Sequence, residues 1–454
     1  MNNKTNFISK KFVEIQQSVA AIFEIGPLTA LSSIIFTSVV IIAGLFWFFH
    51  SAPPSTIIIT SGDDGTAFRK NAEKYAKILA RNGVTLKILP SEGSLENLGR
   101  LGNPAFKADV GFVQTGVAKG QNTDKLVSLG SISYAPLYIF YRSEKPIELL
   151  SQFAGKKIAI GEKGTGTQVL ALALLERNGI KPGGPTELLG LDDDEAKLDL
   201  FDGKIDAVFM MSDSASVETM RELILSPNVW LYDFTQADAY TRRFSYLHKT
   251  VIPRGGLDFE KDIPDHDVNL VSPTVELIAR TDLHPALSDL LLDAATEVHS
   301  RAGLFQKRGE FPAPHEQDFR ISADASRYYK SGKSFLYRYL PFWIASLLNR
   351  ILVVFVPMIL VIVPGIRSIP VLYQWHLRWR IYRLYNALAI LEKEMIGPVS
   401  TEKMEDLLRQ VEPIENALKK MKVPPSFAEK LSGLRDHIDT VRSKLASTRI
   451  AKLL

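Results

Sequence analysis

Lys157-Ile158-Ala159-Ile160-Gly161-Glu162-Lys163-Gly164-Thr165-Gly166-Thr167, followed by Gln168 to Asn178, decides how the centre of this chain is read. A short apolar run with β-branched members passes through a glycine-rich turn into a stretch where Val169, Leu172 and Leu175 recur at helical spacing. That order predicts strand, turn and helix. The glycines suggest a nucleotide phosphate loop at first sight. Such a loop ends in Gly-Lys-Ser/Thr, whereas Lys163 precedes the glycines here, so nucleotide hydrolysis is excluded.

The same order recurs on both sides. Thr56 to Thr60 (TIIIT) runs into Gly62-Asp63-Asp64-Gly65 and then a helix carrying Phe68, Ala72, Tyr75 and Leu79. Val84 to Leu89 is strand-like, a helix from Ser91-Glu92-Gly93-Ser94 to Leu101 follows, and Asp109 to Gln114 makes a third strand. Downstream, Asp192 to Glu195 opens a helix, Ile205 to Met211 is a strand, and Ser214 to Leu225 is helical. The apolar stretch Tyr134 to Tyr141 is long enough to cross from one lobe to another. The alternation predicts an α/β chain with a mostly parallel sheet, in two similar lobes with a cleft between them. Ligands on such sheets sit at the carboxyl ends of the strands, where the glycine turns fall.

Three junctions share one device there: Gly65 and Thr66, Gly93 and Ser94, and Gly164, Thr165, Gly166 and Thr167. Small residues let backbone N–H groups and hydroxyls approach a ligand, and a helix N-terminus carries about half a positive charge. The same residue types also cap helices. Asp63 and Asp64 suit either a cap or an ammonium group. Catalysis finds little support: His248, His266, His284, His299 and His315 are dispersed without HExxH spacing, and no GxSxG elbow occurs. No catalytic residue, cofactor or metal ligand is expected, and the absence of cysteine removes thiolate chemistry and disulfides.

From Thr56 to Asp318 the chain resembles the TAXI family of solute-binding proteins, extracytoplasmic subunits of tripartite ATP-independent periplasmic (TRAP) transporters. The resemblance lies in Gly65-Thr66-Ala67-Phe68, Gly93-Ser94-Leu95-Glu96-Asn97-Leu98, Asp109 to Gln114, Gly155-Lys156-Lys157-Ile158-Ala159-Ile160-Gly161, Gly164-Thr165-Gly166-Thr167 and Gly203-Lys204-Ile205-Asp206-Ala207-Val208-Phe209. It implies a bilobed periplasmic-binding-protein fold of type II-like form. It further implies capture of a small polar solute, an organic acid or amino acid, for membrane permease subunits, with Asn97 and Gln114 joining the three junctions at the site. The chain departs from the family at Ala67 and Phe68, where aromatic hydroxyls are usual, and at Asp63 and Asp64, which replace small neutral residues and disfavour an anion.

Two apolar stretches bracket this domain. Leu28 to Phe49 has 22 residues without an ionisable group, and a helix of that length rises ~33 Å against a hydrocarbon layer of ~30 Å. A cleaved signal peptide is the alternative, disfavoured by the bulky Phe48-Phe49-His50. Phe342 to Ile366 is a second span, with Arg350 snorkelling or paired to an anion; a buried soluble helix is the alternative. Lys4, Lys10 and Lys11 precede the first span and Arg367, Arg378, Arg380 and Arg383 follow the second, which places both ends in the cytoplasm. The expected order is thus a cytoplasmic segment (1–27), a first span (28–49), a solute domain (55–335), a second span (342–366) and a cytoplasmic helical tail (367–454). Within the solute domain, lobe 1 covers about 55–137 and 233–335, and lobe 2 covers 138–232. The expected location is a bacterial inner membrane with the solute domain in the periplasm or outside the cell.

The charge of +4 follows this layout, because residues 367–454 hold 16 basic against 10 acidic side chains. It gives no argument for a nucleic-acid partner. In the tail, Val371 to Tyr385 interleaves arginines with Trp375, Trp379, Tyr382 and Tyr385, which suits either anionic lipid headgroups or packing on the rest of the tail. Thr401 to Met421 and Phe427 to Ser447 read as two amphipathic helices that form a hairpin or meet a cytoplasmic protein. Uptake of a solute is the leading function, signalling through the tail the second, and an exported enzyme on the same fold the third.

Overall fold

A computed structural model of the chain describes residues 13–19, 27–50, 52–211, 215–395, 401–419, 421 and 427–453. Lys4, Lys10, Lys11, Ser214 and the Val423-Pro424-Pro425 break lie outside them. The chain divides into two compact units, Ala52–Leu348, and Met1–Ser51 with Asn349–Leu454.

In the first unit, β1 (Thr56–Thr60), β2 (Thr85–Leu89) and β3 (Val110–Gln114) are parallel, in the order β2-β1-β3. β4 (Leu126–Tyr134) leads to β5 (Leu137–Tyr141), which begins a second set. There β6 (Lys157–Ala159), β7 (Glu187–Leu189) and β8 (Ala207–Met211) are parallel in the order β7-β6-β8, with β5 antiparallel to β8 and edged by β9 (Trp230–Leu231). Beyond β10 (Leu247–Ile252), the long β11 (Val268–Arg280) serves both sets. Its early residues pair with β10 and β5, its later ones with β3 and β4. Both lobes therefore have three parallel strands in the order 2-1-3 and then an antiparallel strand, β11 in one and β5 in the other. This is the bilobed α/β architecture expected of a periplasmic-binding-protein fold. The chain passes between lobes at the β4–β5 junction and along β11.

The helices follow the sequence pattern with one instructive difference. Ala67–Ala80 buries Phe68, Ala72, Tyr75, Ile78 and Leu79 against the sheet. Gly166–Arg177 buries Leu170, Ala171, Leu174 and Leu175, while Val169 and Leu172 are only half-buried. Its VLALALL stretch is apolar on every side, so periodicity alone could not pick the inward face. The helix Val217–Leu225 starts later than expected, with Ser216 as its cap.

The second unit holds two helices long and apolar enough to cross a membrane, Pro27–His50 and the apolar part of Phe342–Glu394. The latter runs unbroken through Pro357, Pro364 and Pro370. Its far end joins Thr401–Lys419 and Ala428–Leu453 in a three-helix bundle. Leu377, Ile381, Leu388 and Leu391 pack there with Leu407, Val411, Ile414, Leu418, Leu434, Ile438, Val441 and Leu445. The expected hairpin is present, and its third wall is the continuation of the apolar helix. Arg350 lies over the ring of Phe48, 5.1 Å from its centre.

Candidate functional site

At the carboxyl ends of β1 and β6 the two lobes carry the same turn. Thr66 Oγ1 donates to the Asp63 carbonyl at 2.7 Å and accepts from the Arg69 N–H at 3.2 Å. Thr165 Oγ1 donates to the Glu162 carbonyl at 2.7 Å and accepts from the Gln168 N–H at 3.2 Å. Each threonine caps the helix that follows. Gly161 and Gly164 make the second turn possible, at φ 84° and 99°, where a side chain is strained.

Between these turns lies a cavity of about 400 Å³. Asp63, Asp64, Thr66 and Glu92 line it from one lobe, and Gly161, Glu162, Thr165, Thr167 and Leu191 from the other, with Asp192, Asp193, Asp194, Ser216 and Thr219. Among the described residues, seven carboxyl groups line this space and no lysine, arginine or histidine does. The hydroxyls reinforce the asymmetry. Thr219 Oγ1 donates to Asp194 Oδ1 at 2.6 Å, which leaves the Ser216 hydroxyl to donate to Thr219 at 2.8 Å. A hydroxyl has one hydrogen and two lone pairs. With their hydrogens committed within the protein, Thr66, Thr165, Ser216 and Thr219 can offer a ligand only acceptors.

Some of the charge is balanced nearby. Arg69 lies 3.3 Å from Asp64, and Lys197 pairs with Glu222 at 2.7 Å and Asp194 at 3.5 Å. Asp192 caps its own helix through the N–H groups of Asp194 and Glu195. Glu162 is held above its ordinary pKa by desolvation and by the neighbouring carboxylates of Glu92, Asp192 and Asp63. Like charges in a shared space disfavour ionisation, and a cation there would relieve it.

The ten residues singled out from the sequence divide into four groups. Thr66, Thr165 and Thr167 line the cavity. Gly93, Gly164, Gly166 and Gln114 lie where the lobes touch: the Glu96 N–H donates to the Gly164 carbonyl at 3.2 Å, Gly93 faces Thr165, and the Gln114 amide lies against Gly166. Ser94 and Asn97 are buried and structural. Ser94 Oγ accepts from the Gln114 N–H at 3.1 Å, while Asn97 accepts from the Thr60 and Ser91 hydroxyls, both at 2.6 Å, and donates to the Phe112 carbonyl at 2.9 Å. Gly65 supplies a turn at φ 86°. Sequence reading missed Glu92, Glu162, Asp192–Asp194, Ser216 and Thr219 as a group. The available signal was that the acidic residues each stand at a strand-to-helix junction.

Residues 72–285 match the sequence model of the NMT1-like family. The NMT1-like match runs from within the helix Ala67–Ala80 to the start of the helix Pro285–His299, and takes in the lining residues except Asp63, Asp64 and Thr66. Solved structures similar to the chain include the periplasmic aliphatic sulphonate binding protein SsuA from Escherichia coli, at 14% identity over 54% of this chain and 69% of that one, TM-score 0.36. Another is an ancestral arginine-binding protein bound to arginine, at 15% identity over 54% and 92%, TM-score 0.35. A third is an ABC uptake transporter substrate binding protein from Streptococcus pneumoniae with bound histidine, at 12% identity over 54% and 87%, TM-score 0.35.

Proposed function

We propose that this chain is a membrane-anchored solute-binding protein whose interlobe cavity captures a small solute bearing ammonium or guanidinium groups. The observation that carries this reading is the surplus of acceptors among the lining side chains: seven carboxyl groups, and five hydroxyls of which Thr66, Thr165, Ser216 and Thr219 have their hydrogens already committed. Burying an unpaired anion beside them would add repulsion to desolvation, whereas a protonated amine satisfies both. An organic acid is disfavoured on this ground, and an amino acid fits through a cationic side chain. Delivery to TRAP-type permease subunits is the role we assign, supported by the TAXI resemblance and by the NMT1-like match within the solute domain. The two apolar helices support anchoring in the bacterial inner membrane with the solute domain in the periplasm.

A specific observation favours a second role, sensing. One uninterrupted helix, Phe342–Glu394, carries the apolar stretch and then forms a wall of the tail bundle, so it could transmit a change to a cytoplasmic partner. Deleting residues 401–454 separates the two: transport requires only the solute domain and its anchor, and solute uptake unaffected by the deletion supports it. Uptake lost with the tail, at equal solute affinity, favours sensing. The reading as a binder is tested against enzyme action by recovering the bound solute unchanged.

A further inference from the structure

The helix Phe342–Glu394 presents two different faces where it enters the tail bundle. Leu377, Ile381, Leu388 and Leu391 are buried in the bundle. On the opposite side Trp375, Arg378, Trp379, Tyr382, Arg383 and Asn386 recur at i, i+3, i+4, i+7, i+8 and i+11, a single helical stripe, and line a recess of about 300 Å³. The aromatic residues in it are bare: Trp375 is 68% exposed, Trp379 50% and Tyr382 70%. Arg383 sits over the Trp379 ring at 4.8 Å, and among the described residues neither Arg378 nor Arg383 has an acidic partner. Three bare aromatic rings with two unpaired guanidinium groups are costly on an ordinary solvated helix and need an anionic, partly apolar neighbour.

The helix pairing locates this stripe relative to the lipid. Gly365 lies against Phe36, Gly44 against Met358, and the rings of Phe48 and Phe355 are 5.8 Å apart. Each step along one helix is matched by a step backward along the other, which brings Leu28, where the first apolar run begins, level with a residue about 373. On this pairing the hydrocarbon part of the second span runs from Ile351 to about Leu372, with Arg350 at one boundary and Arg367, which sequence reading places after the span, lying five residues inside the other and snorkelling to it. Tyr373 is the first aromatic residue past the other boundary, and Trp375 and Arg378 follow about 4.5 and 9 Å beyond Leu372, at and just past headgroup depth, with Arg383 about 16 Å beyond and its long side chain directed back toward the phosphates. We propose that this stripe is a binding site for anionic phospholipid headgroups, the arginines taking the phosphate and the rings lying among the glycerol and upper acyl groups. The depth assignment rests on the spanning reading given above; the chemistry of the stripe does not.

The test uses the full chain in a neutral detergent, with retained lipid counted by native mass spectrometry. Phosphatidylglycerol is expected to be retained in preference to phosphatidylcholine, and the double variant Arg378→Gln/Arg383→Gln to lose roughly 30-fold in retention, from about 1 kcal/mol per arginine. Its helical content and melting point should match the parent, since both positions lie off the bundle core. Equal retention of the two lipids by the parent overturns the proposal without recourse to any variant. So does a folded double variant that retains phosphatidylglycerol as before, and so does displacement of the lipid by millimolar inorganic phosphate. The spanning reading is tested apart from this. In this cysteine-free chain, a membrane-impermeant maleimide should label Gln121→Cys and spare Ser447→Cys in intact spheroplasts. Labelling of both removes the depth assignment, while the detergent measurement still decides the stripe.

Discussion

The side-chain amide of Gln114, at the end of β3, lies directly against the backbone of Gly166 in the opposite lobe, so that no side chain could be added at Gly166 without displacing it. Gln114 is only 2% exposed and its backbone N–H is held by Ser94, which leaves little freedom to retreat. The two lobes meet on a contact in which any side chain at position 166 must push the Gln114 amide aside.

Gly166→Ala should therefore hinder closure without unfolding either lobe. Overpacking of this kind costs about 1–3 kcal/mol, so solute affinity is expected to fall roughly 5- to 100-fold, by more than any loss in melting point measured without solute. Adding Gln114→Ala to Gly166→Ala should return part of the affinity in calorimetric titration. Unchanged affinity in Gly166→Ala would remove closure at this seam from the account.

Glu162 gives the cleft a pH dependence of defined sign. Its pKa is raised in the folded protein, so the folded chain holds this proton more readily than the unfolded one and is more stable at acid pH. That stability is lost as pH rises through the raised pKa. A cation binds the ionised form, so amine affinity should strengthen as pH rises from the carboxylate range toward neutrality. Glu162→Gln should flatten that slope, and titration at three pH values checks it.

Asn97 is expected to behave as a structural residue. Replacing it by Ala removes the partner of the Thr60 hydroxyl and the amide donor to the Phe112 carbonyl, whereas the Ser91 hydroxyl keeps the Ser61 carbonyl, at about 1–3 kcal/mol for each group left unpaired. Denaturant midpoints should drop sharply, and amine binding should persist wherever the variant remains folded. Loss of binding with an unchanged midpoint would return Asn97 to the site.

Glu276, buried on β11, is a second titrating group and lies outside the cavity lining. Desolvation, with the nearby Asp318 charge adding to it, pushes its pKa up to about 8. The folded protein then keeps a proton that the unfolded chain releases near pH 4.5, and stability declines between those values by up to ~1.4 kcal/mol per pH unit. Glu276→Gln should flatten that decline and raise the melting point at pH 8 more than at pH 5. Equal shifts at the two pH values would contradict it.

Much of the fold was legible because strands such as Thr56–Thr60 and Ala207–Met211 are short β-branched or apolar runs bounded by turns, and helices such as Ala67–Ala80 show one apolar stripe. Legibility failed where local pattern is silent. Gly166–Arg177 is apolar all round, and its inward face depends on what packs against it. The third wall of the tail bundle was hidden because Leu377 and Ile381 alternate with the arginines and aromatics of the opposite face. The same limit applied to the cavity. Threonines at helix starts were visible, whereas the gathering of Asp63, Glu92, Glu162 and Asp192 depends on strand order in two lobes. Whether a hydroxyl donates or accepts is settled by partners that only the folded chain brings together.

The most direct measurement is thermal stabilisation of the purified full chain at pH 7.5 by matched series of small solutes: mono-, di- and triamines and arginine in one, and dicarboxylates and alkanesulfonates in the other. Stabilisation by amines, increasing with the number of charges and abolished in Asp63→Asn/Glu162→Gln, is the expected result. Stabilisation by a carboxylate or sulfonate with none by any amine would contradict a cationic solute in this cleft.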